Sequence, residues 1–293
     1  MRFATIEIKG RPVVVAVAED GQQYCEVNRI LPDFNGDMTA FIARMPSVAG
    51  LAKKIDAWQP MAGKRLLAPI PLPQRNIFCV GKNYHDHAKE FSQSGFDMSA
   101  AKGELAPPVP VIFTKAPSSV IAHNDEVTAF SELTQQLDYE VELAVVIGKG
   151  GRGISKANAL SHVWGYTIIN DVTARDVQQL HRQWFLGKSF DTFCPMGPWI
   201  VTADEVGDSA KLGVRCWINE ELRQNANTSD LIFDIPTIIS TISAGISLQP
   251  GDIIATGTPA GVGIGFKPPK FLKSGDVMKL AIDKLGTLTN RVA

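Results

Sequence analysis

At 293 residues, 45% hydrophobic and 20% charged, the chain has the composition of an ordinary globular protein, long enough for one large domain or a large one with a small companion. Its formal net charge is -1 and its lysines and arginines are scattered, which excludes a basic footprint and with it a nucleic-acid partner. Cys25, Cys79, Cys194 and Cys216 are dispersed, with no C-x-x-C pair for zinc and no dense disulfide framework, and read as reduced thiols of a cytoplasmic protein.

In chain order, residues 3–8 and 13–17 alternate like strands, and residues 1–9 lack the apolar core of a signal peptide. No run of roughly 18 apolar residues occurs, so no membrane span is expected. Residues 41–58 carry a weak helical pattern. Ala68-Pro69-Ile70-Pro71-Leu72-Pro73 sets prolines at alternate positions, which forbids helix and favours an extended connection. A boundary near residue 72 therefore divides a small amino-terminal α/β domain, 1–72, from a larger domain, 73–293. Residues 76–80 read as an apolar strand that leads through Gly81-Lys82-Asn83-Tyr84 into a short helix. Residues 91–108 are small and polar, a long loop of the kind that acts as a lid or stays disordered. Strand-like runs follow at 109–113, 139–147, 164–170, 199–202, 213–218, 252–255 and 277–282, with helical pattern over 173–185 and 235–246. Long strands with few helices predict an α+β, β-dominated fold, not regular β-α-β alternation.

The sharpest chemical signal is Asp138-Tyr139-Glu140-Val141-Glu142-Leu143-Ala144-Val145-Val146-Ile147. Residues two apart in a strand face the same way, so Asp138, Glu140 and Glu142 share one face of an otherwise apolar strand. Adjacent buried carboxylates need compensation, and a hard divalent cation with oxygen ligands supplies it. An edge strand with a solvated acidic face explains the same spacing. Asp171 ends the next strand just before a helical pattern; it either completes a metal site or caps the helix. His87 and Glu90, three apart on a short helix, can hold a water and relay its proton, or be ordinary surface residues. Lys188, among apolar and small neighbours, can balance an enolate or carboxylate, or be a solvated lysine. Thr256-Gly257-Thr258-Pro259-Ala260-Gly261-Val262-Gly263 offers exposed amides and hydroxyls to a substrate, or is a plain glycine-rich loop. Gly148-Lys149-Gly150-Gly151-Arg152-Gly153 fits G-x-G-x-x-G after a strand, with Asp171 near the place of a ribose-binding acid, the best case for a nucleotide-dependent oxidoreductase. Against it, the following helix is short and no second β-α-β unit appears.

Taken together, Gly81-x-Asn83-Tyr84-x-x-His87-x-x-Glu90, Asp138-Tyr139-Glu140-x-Glu142-Leu143, Asn170-Asp171-x-x-Ala174-Arg175-Asp176, Gly187-Lys188-Ser189 with Cys194-Pro195-Met196-Gly197-Pro198, and Thr256-Gly257-Thr258-Pro259-x-Gly261-Val262-Gly263 resemble, in this order, the signature of the fumarylacetoacetate hydrolase superfamily. The likeness spans roughly residues 74–293. It implies a mixed β-sandwich roll, usually a homodimer, with Mg2+ or Mn2+ held by Glu140, Glu142 and Asp171. It also makes Lys188 an active-site cation and His87 with Glu90 a lid dyad, and it places Gln178 and Thr256 against the substrate. Lys82 stands where relatives often carry Arg or Leu and is a further candidate for binding substrate. Asp138 is not a usual ligand, and the cysteines take no part in catalysis. The implied substrate is a small 2-oxo acid, with oxaloacetate decarboxylation ahead of acylpyruvate hydrolysis, and isomerase or hydratase chemistry as further outcomes. A non-enzymatic scaffold is the remaining alternative.

Overall fold

The computed structural model describes residues 1–45, 47–93 and 107–293. Its strands form a 12-stranded sheet, a 5-stranded sheet and a 2-stranded pair, so the expected β-dominated α+β class holds. The large sheet runs Gln59–Pro60, Gln23–Glu26, Arg11–Val17, Arg2–Ile8, Cys194–Thr202, Val163–Asn170, Val141–Ile147, Ile253–Ala255, Ile77–Gly81 and Val111–Lys115. Strands from both sides of residue 72 thus lie in one sheet, joined where Phe3 pairs with Ile200. Phe41 packs edge-on against Trp164 across the same junction, with ring centroids 5.8 Å apart. Most of the expected loop over 91–108 lies outside the described residues.

Val141–Ile147 is buried at every position because it has neighbours on both edges and packing on both faces. Val141, Leu143, Val145 and Ile147 face the 5-stranded sheet, where Val214, Cys216, Leu280 and Ile282 meet them. Ala144 and Val146 face the other way, into a core with Phe3, Phe41 and Trp164. Each fully buried aliphatic side chain here contributes roughly 1.5–3 kcal/mol, so a carboxylate on the same strand stands against a strong apolar preference. The strand is central, which rules out a solvated acidic edge for Glu142.

The helices depart from the sequence pattern where the backbone turns. The pattern over 173–185 divides in three: Thr173–Ala174 pairs with Leu137–Asp138 as strand, Arg175–His181 is helix, and Phe185–Lys188 is a second short helix. Arg182, at φ 58, ends the first helix and reverses the chain. The reversal needs Gly187, where a Cβ would lie 2.6 Å from the Gln178 backbone nitrogen. Over 41–58 the helix is confined to Met38–Arg44, capped by the Asp37 side chain on Ala40 N, with a 3-10 turn at Leu51–Lys54. Ile235–Ser243 forms as expected, its buried Ile235, Ile238, Ile239 and Ile242 in helical spacing behind an Asp234 cap.

Residues 148–153 open the connection from Val141–Ile147 to Val163–Asn170, and those strands are antiparallel neighbours. A dinucleotide fingerprint requires parallel strands around its crossover helix, so the oxidoreductase reading of that glycine run fails on topology. No described helix is long and apolar enough to cross a membrane. All four cysteines are free and buried.

Candidate metal centre

The antiparallel register of the two central strands creates the site. Val141 pairs with Asn170, so the start of one strand lies beside the end of the other. Asp171 N donates to Glu140 O (2.9 Å), and Glu140 N donates to Asn170 Oδ1 (3.0 Å). Glu140, Glu142 and Asp171 are brought together with one carboxylate oxygen from each within 4.8 Å of the others, all three buried. Asp171 caps no helix, because the helix that follows begins only at Arg175 behind Ala174.

Asp138 is a different kind of carboxylate. It belongs to the short pairing Leu137–Asp138, not to the strand bearing Glu142, so the chain is not one continuous strand from 138 to 147. Its oxygens accept from Gly263 N (2.6 Å), Ile264 N (3.1 Å) and Arg175 Nε (2.9 Å). It serves to fix Arg175 and the glycine loop.

Three buried cations meet the acids. Lys188 Nζ lies 2.8 Å from Glu140 Oε2 and 2.8 Å from Asp171 Oδ2. Arg175 Nη2 lies 2.6 Å from Glu140 Oε1. Lys115 Nζ lies 2.6 Å from Asp171 Oδ1 and also donates to the carbonyls of Val172 (3.1 Å) and Lys188. Burial by itself would raise the Glu140 carboxyl, but Lys188 and Arg175 outweigh it and hold the group down at about 2. Burial would lower the Lys188 ammonium, and Asp171 with Glu140 more than reverse this, so the side chain stays charged. Glu142 has no such cation at ion-pair distance among the described residues. It accepts from Gly257 N (2.7 Å), while burial, then Asp171 and Glu140, push its carboxyl well above the usual range.

The residues fit a divalent cation. The donor set is oxygen only, which suits a hard ion, and among the three clustered carboxylates Glu142 is the one left without a positive partner at ion-pair distance. The set does not separate Mg2+ from Mn2+.

Other expected residues arrange around this cluster. A cavity is lined by Lys82, His87, Gln178 and Lys188 together with Glu140, Glu142 and Arg175. His87 Nδ1 lies 3.3 Å from Glu90 Oε2, so the pair anticipated from spacing is formed, and both residues are largely buried. Glu90 in turn accepts from Gly261 N (3.0 Å), and a Cβ at Gly265 would sit 1.9 Å from Glu90 Oε1, which explains glycine there. Lys82 is buried, with its ammonium 5.6 Å from the Phe91 ring centroid. The Thr256 hydroxyl donates to Leu143 O (2.9 Å), and it is Thr258, two residues on, that lines the cavity. The reason lies at Gly257, which turns the chain at φ +106. Cys194 is fully buried, and that burial raises its thiol to about 12, unsuited to a nucleophile.

Sequence reasoning missed Lys115, Arg175 and Trp184. Arg175 stood inside a quoted motif without a role. Lys115 ends an apolar strand, Val111–Lys115, and only its burial distinguishes it from a solvated strand-end lysine. Trp184 packs on Gly81, where a Cβ would lie 2.4 Å from the indole, and forms an aromatic wall with Phe113.

Comparison with known proteins fits this geometry. Residues 76–293 match the model of the fumarylacetoacetate (FAA) hydrolase C-terminal family. The chain is 44% identical to oxaloacetate tautomerase YisK of Bacillus subtilis, covering 100% of both. Among solved structures, a fumarylacetoacetate hydrolase from Exiguobacterium antarcticum is 43% identical with a TM-score of 0.85, covering 100% of this chain and 99% of that one. Maleylpyruvate hydrolase from Sphingobium sp. SYK-6, in complex with manganese(II) and pyruvate, is 31% identical with a TM-score of 0.79, again covering 100% and 99%.

Proposed function

The chain belongs to the fumarylacetoacetate hydrolase family, and from that premise we propose that this enzyme interconverts the enol and keto forms of a small 2-oxo acid, oxaloacetate first among them, using Mg2+ or Mn2+ held by Glu140, Glu142 and Asp171. The observation that carries the reading is the buried acidic triad beside the buried, ion-paired Lys188. When bound, the cation would supply Lewis acidity toward a 2-oxo acid. The protein's own groups account for the rest. Lys188 sets a fixed positive charge where enolate charge develops, in a site shielded from water. His87, steadied by Glu90, moves the proton: in the enol-to-keto direction it delivers one to C3 while the enol O–H loses its own to solvent. Lys82 and Gln178 line the cavity where a second carboxylate of the substrate would lie, and Arg175 keeps Glu140 ionised.

Decarboxylation is the second reading, because loss of carbon dioxide from oxaloacetate leaves the enolate of pyruvate, whose charge would develop against the same Lys188. The sequence resemblance alone set it first; the 44% identical relative, an oxaloacetate tautomerase, favours tautomerisation. Assembly as a homodimer is proposed on the family resemblance, and a cytoplasmic location on the dispersed, reduced cysteines. The test follows metal-stripped protein with and without added Mn2+, reading enol absorbance, carbon dioxide release and acetylpyruvate loss in parallel and subtracting the rates of free Mn2+. Enol decay that outruns carbon dioxide release and vanishes in Glu142→Ala is the expected result. Carbon dioxide release equal to substrate loss would replace tautomerase with decarboxylase, and loss of acetylpyruvate alone would point to hydrolysis.

A further inference from the structure

Glu90 is held by a backbone amide whose own anchor is a buried tyrosine. Gly261 N donates to both Glu90 oxygens, at 3.0 Å and 3.3 Å, and Glu90 Oε2 lies 3.3 Å from His87 Nδ1. Gly261 stands at φ +101, and a Cβ there would lie 1.9 Å from the carbonyl oxygen of Arg223. The position therefore has no side chain to fix the direction of its amide, and glycine turns about its backbone at small cost. Its carbonyl is fixed instead. Tyr139 is fully buried, and its hydroxyl donates to Gly261 O (2.9 Å) while accepting from Arg223 Nη1 (3.4 Å). The same stretch of chain pins the rest of the glycine loop, since Asp138 takes the amides of Gly263 and Ile264 and Glu142 takes that of Gly257.

We propose that Tyr139 is the positioning residue of the His87–Glu90 dyad: by holding the Gly261 carbonyl it aims the Gly261 amide at Glu90, and Glu90 so held keeps the imidazole proton on Nδ1. Nε2 is then the atom that gives the proton to C3 and takes it back in the reverse direction. The inference rests on the reading that His87 moves the proton of enol–keto interconversion. A core tyrosine asks only for some acceptor at its hydroxyl. Here the acceptor belongs to the glycine whose amide meets the dyad, which ties the hydroxyl to the chemistry. Without it the Gly261 amide loses its fixed direction, and Glu90 keeps its charge but not its orientation. A neutral imidazole with no steady partner on Nδ1 divides between two tautomers, and the one protonated on Nε2 cannot accept a proton there.

The test compares Mn2+-loaded wild type, Tyr139→Phe, Glu90→Ala and the double variant, reading kcat and KM for enol–keto interconversion of oxaloacetate and the affinity for Mn2+. Metal-free protein supplies a second readout, the low-field proton resonance of His87 Nδ1–H, identified by its loss in His87→Ala. In Tyr139→Phe, kcat should fall by about tenfold, the size of one hydrogen bond, with KM and Mn2+ affinity unchanged. The His87 resonance should broaden or vanish in the same variant. In the Glu90→Ala background Tyr139→Phe should change nothing further, because no carboxylate is left to aim. A merely structural tyrosine would cost the same factor in both backgrounds. Equal losses there, an unchanged kcat, or an unchanged His87 resonance in Tyr139→Phe overturns the proposal. Should Tyr139→Phe not fold, para-fluorophenylalanine in place of Tyr139 fills the space of the hydroxyl without a donor and carries the same expectations. Wild type without enol–keto turnover would remove the reading of the site and this inference with it, whereas wild-type turnover with additive losses removes the inference alone.

Discussion

Asp138 and Glu142 stand at the two ends of one acidic stretch, both buried, yet they do opposite work. Asp138 is surrounded by donors, two amides of the glycine loop and the Arg175 guanidinium, so its charge is fully answered within the protein. Glu142 receives one amide and faces two other acids, and its raised carboxyl marks a charge that the protein leaves unanswered. The contrast teaches that burial of an acid does not identify a ligand; what sets Glu142 apart is its shortfall in partners, while Glu140 and Asp171 join it through their place in the cluster.

Substitution should separate the two ends. The largest effect is expected on turnover from Glu142→Ala, a loss on the order of 10³-fold, or about 4 kcal/mol of transition-state stabilisation. Because Glu142 lacks a cation, the same variant should unfold at a temperature no lower than wild type without metal; a clear drop would mean that Glu142 is structural like Asp138. Asp138→Asn should do the reverse, lowering stability by about 3 kcal/mol in denaturant titration because Arg175 is left buried with less counter-charge. Unchanged stability there would erase the contrast. His87→Ala should lower turnover by about 10²-fold while Mn2+ affinity is unaltered, and equal activity would remove the dyad from the mechanism.

The smallest effect concerns pH. Glu142 is held above the usual carboxylate range in the metal-free protein, so it keeps a proton that the incoming ion must displace. Mn2+ affinity should therefore rise with pH, by up to about tenfold per unit, until Glu142 ionises without metal, and then level off. Isothermal titrations at several pH values check this, and a flat profile would contradict the assignment of the shift.

Much of this site was legible in the sequence, and the gaps have physical causes. The i, i+2 spacing of Glu140 and Glu142 and the strand-end position of Asp171 raised a metal site as one of two readings, because strand periodicity is a local property, and the family resemblance selected the triad. The same rule misplaced Asp138, since a break after it moves its side chain into another pairing, and no periodicity records a break. Lys115 was invisible because a lysine at a strand end is ordinarily solvated; only the long-range packing of Val111–Lys115 against the site buries it. Thr256 entered through the family resemblance, and the place of Thr258 at the cavity was not legible because a turn at Gly257 decides which hydroxyl faces it. Fold class followed from strand-rich patterning, while the single sheet across residue 72 depends on the distant pairing of Phe3 with Ile200.

The most direct test of the central claim is a titration of metal-stripped wild type with Mn2+ while enol-oxaloacetate decay is recorded. The account predicts negligible enzymatic decay without metal and full rate at one equivalent bound per chain, with no such recovery in Glu142→Ala. Full activity in the stripped protein, or recovery in Glu142→Ala equal to wild type, would contradict it.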